Sequence, residues 1–213
     1  MAKRQKKAAR RREPRFELVG GALCLDFINT LDDRSSGEPK ELLKHYVDLA
    51  RFGEDTGILD AGRADRLFAL SMRSPEEAAQ ALKAAIQLRE AIFQVFWSVV
   101  RKKPVAAGPM ITLNEYVQDA GQHVKLVPEN GHFEWQFEDS LNKLEQVVWP
   151  IARSAAELLA SEQLQFVRVC ASETCKWLFL DESKNHRRRW CDMTKCGNRA
   201  KVRNFYSRKK MEG

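Results

Sequence analysis

The stretch CASETCKWLFLDESKNHRRRWCDMTKC (170–196) holds four of the chain's five cysteines in the order C-x4-C-x15-C-x4-C. Two thiolate pairs separated by about fifteen residues are the arrangement of a structural zinc ribbon or treble-clef-like site. Each pair sits on a tight turn, and the residues between leave and return as a hairpin or loop. A segment this short cannot bury enough apolar surface to fold alone, whereas zinc coordination contributes on the order of 10 kcal/mol. Four sulfurs also fill a tetrahedral shell. One structural Zn2+ on Cys170, Cys175, Cys191 and Cys196 is therefore expected, against the competing reading of four unpaired thiols. The basic start MAKRQKKAARRREPR (1–15) is not followed by an apolar signal core, so a cytoplasmic, reducing setting is expected and a metal is favoured over disulfides. No run of 18 or more apolar residues is present, which excludes a helical membrane span.

The net charge of +7 conceals a segregation. Residues 1–15 carry +7, residues 161–213 carry +7, and the body between them carries −7. An acidic body with two basic ends is the pattern of a polyanion binder, because neutralising phosphates releases counterions.

Moving back toward the N-terminus, the body reads as α+β and mainly helical. FELVGGALCLDFINTL (16–31) is an extended entry, a Gly-Gly break and a short apolar helix, and DDRSSGEP (32–39) is a loop. Helical periodicity predicts elements over 40–52, 60–72, 75–101, 110–121 and 139–161, with Pro150 as a candidate kink. Ser74-Pro75-Glu76-Glu77 is a helix start, and the broad stripe Leu82, Ile86, Leu88, Ile92, Phe93, Phe96 and Val100 marks the central buried helix. HVKLVPENGHFEWQFE (123–138) alternates about Asn130-Gly131 and predicts an antiparallel β-hairpin. The expected organisation is a basic arm (1–15), a helical body (16–161) and a zinc finger (162–213).

RVCASETCKWLFLDESKNHRRRWCDMTKCGNRAKVRNFYSRKK (168–210) closely resembles the CGNR zinc finger, named for the tetrad that stands here as Cys196-Gly197-Asn198-Arg199. The hydrophobic run closed by Asp181 and the Trp190-Cys191 pair belong to the same pattern. GALCLDFINTL (21–31), with LREAIFQVF (88–96), resembles the ABATE domain that precedes such fingers. The resemblance implies that the four cysteines bind zinc, and that the chain is a bacterial stress-related transcription regulator that binds DNA.

The residues support that role directly. Gly197 permits a left-handed or tight turn and Asn198 can cap a following helix, whose Val202, Phe205 and Tyr206 form one apolar face suited to the zinc lobe. Arg187, Arg188, Arg189, Lys195, Arg199, Lys201, Arg203 and Arg208 are then the candidate nucleic-acid contacts. Trp177 and Trp190 flank ligands and are expected to shield the sulfurs. His186 is expected at the surface, against phosphate, and Cys24 as a small buried hydrophobe. Asp26, Asn29 and Arg89 are polar groups in apolar settings. They line either a pocket for a small effector or an internal ion pair between Arg89 and an acid such as Asp26, the second being favoured. No nucleophile–base pair, phosphate loop or open metal site is legible, so the chain is not expected to be an enzyme. Double-stranded DNA is the expected partner, with room for a small-molecule effector and a homodimer. RNA or ribosome association, or a ligand-processing body tethered to nucleic acid, is the alternative.

Overall fold

The structure is a computed structural model that describes residues 15–139 and 143–203. Its centre is the helix α4 (Pro75–Val100), which begins with Pro75 in its first turn beside Glu76 and Glu77, where carboxylates meet the positive end of the helix dipole. Leu88, Ile92 and Phe96 are fully buried along it, together with Ala81 and Ala85. Leu82, Phe93 and Val100 of the same stripe are only partly buried against the core. Around α4 pack α1 (Leu23–Ile28), α2 (Tyr46–Asp55), α3 (Ala61–Arg73), α5 (Ala107–Gln122) and α6 (Val148–Leu159). Trp149 of α6 is buried, and its indole N–H donates to Asp119 of α5 at 2.7 Å.

Two expected helices differ in their beginnings. The element expected over 40–52 starts only at Tyr46, because Lys40–Glu41 forms a short strand, β2, paired with Leu31–Asp32, β1. The Asp48 carboxylate accepts the amides of Lys44 and His45 and fixes the helix start there. The element expected over 139–161 opens as a 3-10 turn over Leu144–Val147 and becomes α-helical at Val148. Pro150 therefore lies in the first turn of α6, where the missing N–H costs little.

The expected hairpin is present as β3 (Val124–Glu129) and β4 (His132–Phe137), turning through Asn130 and Gly131 at positive φ, 47° and 87°. A further antiparallel pair, β5 (Val167–Val169) and β6 (Leu178–Leu180), opens the cysteine-rich region. Its inner residues Val167, Leu178 and Leu180 are buried in the same core as α1, α4 and α6. Asn29, 3% exposed at the end of α1, binds that strand like a neighbouring backbone: its amide donates to the Leu178 carbonyl at 2.9 Å, and its carbonyl accepts the Leu178 N–H at 3.1 Å. At Gly21, φ 78°, an added Cβ would stand 3.1 Å from the Leu180 Cβ, and the adjacent Gly20 carbonyl accepts the Leu180 amide.

Candidate metal centre

Cys170 follows β5 and Cys175 precedes β6, so the first pair stands on the connection of one hairpin. The Cys170 amide donates to the Trp177 carbonyl at 2.8 Å and closes that knuckle, and Lys176 takes the positive φ (55°) that the tight return needs. The Ala171 amide donates to Arg189 O, which draws in the second arm. There Asp192 caps a π-helical turn, Met193–Gly197, by accepting the amides of Thr194 and Lys195. Cys196 lies on that turn, and residues 198–203 continue as α-helix. One cysteine pair on a hairpin and one at a helix start is a treble-clef-like arrangement.

All four sulfurs are buried and lie within 4.8 Å of one another, with Cys175–Cys191 and Cys191–Cys196 each at 3.7 Å. A tetrahedral zinc with sulfurs at about 2.3 Å requires sulfur–sulfur distances of about 3.8 Å, so the donor set fits one structural zinc. The cation is also what makes four thiolates compatible. Without one, hydrogen bonds from Cys175 and Cys191 hold the Cys170 thiol low, those same bonds hold Cys175 and Cys191 up, and burial raises Cys196. Trp177 and Phe179 are buried beside the sulfurs, with Trp190 and Val19 packed against them, so both tryptophans shield the site.

The three consecutive arginines divide. Arg187 and Arg189 are exposed, and the Arg189 guanidinium stacks over Trp190 at 5.1 Å. Arg188 turns inward: it donates to the carbonyls of Trp190, Cys191 and Val19 and lies 4.5 Å over the Phe179 ring. Its amide donates to Asp181, whose carboxylate also accepts the Ser183 amide and hydroxyl. Burial alone would raise that carboxyl, but these donors hold it below its ordinary value. Arg188 thus fastens the second cysteine arm to the first and to the N-terminal entry, where the sequence pointed to phosphate. His186 is exposed, stacked 3.9 Å from Phe166, with Nδ1 2.6 Å from the Asp181 carbonyl.

Arg199 and Lys201 are exposed on the helix after Cys196. Lys195 pairs with Glu17, and Arg203 with Glu173 at 2.8 Å. Arg208, Phe205 and Tyr206 lie outside the described residues. Val202 is 55% exposed, with none of the packing expected of it. Gly197 is not among the described glycines that take a positive φ. A Cβ there would stand 2.5 Å from the sulfur of Met193, a flexible and exposed side chain that can move aside. Asn198 does not cap; its side chain donates back to the Thr194 carbonyl at 2.8 Å, and Asp192 does the capping.

Asp26, Asn29 and Arg89 serve three separate hydrogen-bond sets. Arg89 is 2% exposed and pairs with Glu41 through two 2.7 Å bonds, with Glu90 at 2.9 Å and with the Thr30 hydroxyl at 3.2 Å. Its acid is thus Glu41, not Asp26. Asn29 is spent on Leu178, as above. Asp26 accepts the Gly20 amide at 2.7 Å, and burial pushes its carboxyl up to about 6 against the effect of the Gly20 and Val19 amides. An acid whose folded value lies above its unfolded 3.8 favours the folded state when protonated. Stability is therefore expected to fall as pH rises from about 4 to about 6 and to stay level beyond. Asp26→Asn removes this dependence, with a gain at pH 7 of up to about 2 kcal/mol in urea unfolding; an unchanged pH profile would contradict it. Burial likewise pushes the Cys24 thiol up to about 12, the behaviour of a small hydrophobe.

Residues 21–162 match the family model described as "ABATE: Putative stress-induced transcription regulator", and residues 167–209 match that of the CGNR zinc finger. No curated protein matches the chain. No helix among the described residues is long and apolar enough to cross a membrane.

Proposed function

From the premise that this chain belongs to the ABATE family and carries a CGNR zinc finger, we propose that it is a cytoplasmic, DNA-binding transcription regulator whose finger makes the nucleic-acid contact. The observation that carries this reading is the exposure of Arg187, Arg189, Arg199 and Lys201 on a zinc-shaped lobe of a chain whose body is acidic. The acidic body repels phosphate, so a duplex is steered to the basic end. Lys195, Arg199 and Arg203 also line one open groove of about 560 Å³ with Thr194, Asn198 and Val202. The ion pairs of Lys195 with Glu17 and Arg203 with Glu173 are solvent-exposed, contribute little to stability, and yield readily to phosphate. The matched families are regulator and zinc-finger types, and zinc here shapes a surface without catalysing a reaction.

Fluorescence anisotropy with labelled duplex DNA over a salt series tests the reading. Arg187→Ala/Arg189→Ala is expected to weaken binding at every sequence and to lower the slope of log K against log salt by about 2 if both residues meet phosphate. Arg188→Ala is expected to act first on folding. An unchanged slope in the double variant, or structured RNA displacing duplex DNA at physiological salt, would count against the proposal.

A further inference from the structure

The hairpin β3–β4 has an apolar face that its own protomer leaves open. Its register sets Val124 against Phe137, Leu126 against Trp135 and Pro128 against Phe133, and these six side chains share one side of the ribbon. Leu126, Trp135 and Phe133 are 51%, 58% and 68% exposed. On that side Arg153 of α6 stacks over Trp135 at 5.1 Å. A two-stranded ribbon is marginal in water, and further strands paired at its edge stabilise it, with apolar side chains packing against one another across the seam.

The backbone says which edge can take that partner. The two-residue turn at Asn130-Gly131 makes Glu129–His132 the closing pair that exchanges both hydrogen bonds. By alternation, Val124, Leu126 and Pro128 turn their backbone groups outward along β3, and Phe133, Trp135 and Phe137 do so along β4. Pro128 has no N–H to offer, which blunts the β3 edge as prolines do at protected edges. The β4 edge has a donor at all three outward positions. Among the described residues it pairs with no strand other than β3.

We propose that β4 is a dimerisation edge, pairing antiparallel with β4 of a second copy of this chain about a two-fold axis through Trp135. In this register Trp135 faces the partner's Trp135 and Phe133 faces the partner's Phe137, so the apolar side runs unbroken across four strands. On the polar side Glu134 faces the partner's Gln136 and His132 faces the partner's Glu138. No like charges meet. A slip of one residue would set every apolar side chain against a polar one, so the register is specified. The edge is complementary to itself in backbone, apolarity and charge, which selects a second copy over an unrelated strand. This interface stands apart from the nucleic-acid reading and from the zinc site.

Sedimentation velocity of the full zinc-loaded chain over a concentration series tests it. A reversible dimer is expected. Gln136→Lys sets an ammonium opposite the partner's Glu134 at two symmetry-related places and is expected to tighten the dimer about threefold or more, while Gln136→Glu weakens it by a similar factor. Within one protomer residue 136 faces Lys125 and its amide donates to Glu129 at 3.1 Å, so either new charge meets one attraction and one repulsion inside its own ribbon. The melting temperature of each variant, read at a concentration where the chain is monomeric, separates a change in the ribbon from a change in the dimer. Trp135→Lys, which opposes two ammonium groups on the axis, is expected to leave a monomer of unchanged helix content. A wild-type chain monomeric up to its solubility limit would overturn the proposal and leave the ribbon to a different partner. So would a dimer that does not shift in opposite directions with the two Gln136 variants.

Discussion

Cys191→Ser/Cys196→Ser is expected to lose zinc, and with it the folded state of the whole C-terminal lobe and its affinity for duplex DNA. Two of the four sulfurs remain, and a hydroxyl at the other two positions is a poor zinc ligand, so the loss is on the order of 10 kcal/mol of coordination free energy. Around the sulfurs themselves little else holds the two cysteine arms: Trp177, Phe179, Trp190 and Val19 are the apolar groups there. A chelator added to the wild-type chain is expected to do the same more slowly.

The damage is not expected to stop at the lobe. Val167, Leu178 and Leu180 lie in the body's core, Asn29 is bonded at both ends to Leu178, and the Gly20 carbonyl accepts the Leu180 amide. Unfolding the finger therefore exposes the apolar side of α1 to water and removes both Asn29 hydrogen bonds, each worth about 0.5–1.5 kcal/mol net. Calorimetry should record one transition displaced to lower temperature, rather than an intact body transition with the finger's missing. A zinc-free double variant that keeps the wild-type melting temperature and salt-sensitive DNA binding would remove the finger from both roles.

The zinc ligands were legible in the sequence because coordination is a matter of local spacing: four thiols, two short intervals and one long one. The β3–β4 ribbon was legible for the same reason, since Asn130-Gly131 supplies the turn from two adjacent residues. What was not legible depends on partners distant in the chain. Arg187, Arg188 and Arg189 are alike as letters; Arg188 is set apart by the carbonyl of Val19, 169 residues away, and by the ring of Phe179. Gly197 reads as a left-handed turn from its place in the sequence, but the turn that Asp192 caps carries it through without a positive φ. The sequence offers Asp26, on an apolar segment, as an acid partner for Arg89. The partner is Glu41, because the helical periodicity of residues 40–45 hid the short ribbon β1–β2 that presents that carboxylate.

That buried pair carries the second large effect. Arg89→Met is expected to destabilise the chain by about 2–3 kcal/mol, since it takes both guanidinium bonds from the part-buried Glu41 carboxylate, while Glu90 keeps Arg34 at 2.8 Å and the Thr30 hydroxyl keeps the Phe27 carbonyl. For a chain of this size the melting temperature should fall by about 7 °C. Arg89→Lys should recover little, because an ammonium cannot give two parallel bonds to Glu41 and a third to Glu90. Arg89→Met/Glu41→Leu should recover much of the loss, since removing both partners leaves no uncompensated charge between them, and the coupling is then read from the double-mutant cycle. The consequence should reach the metal. Glu41 lies on β2, and the loop joining β1 to β2 grips the first cysteine knuckle: the Thr174 hydroxyl donates to Asp33 at 2.9 Å and the Ser35 amide donates to the Thr174 carbonyl at 3.0 Å. Releasing Arg89 loosens that ribbon, so zinc transfer to a colorimetric chelator should be faster in Arg89→Met than in the wild type, well below the temperature at which either unfolds. Equal transfer rates would mean that the knuckle is held by its own hairpin and the second cysteine arm, and that the ion pair serves the body alone.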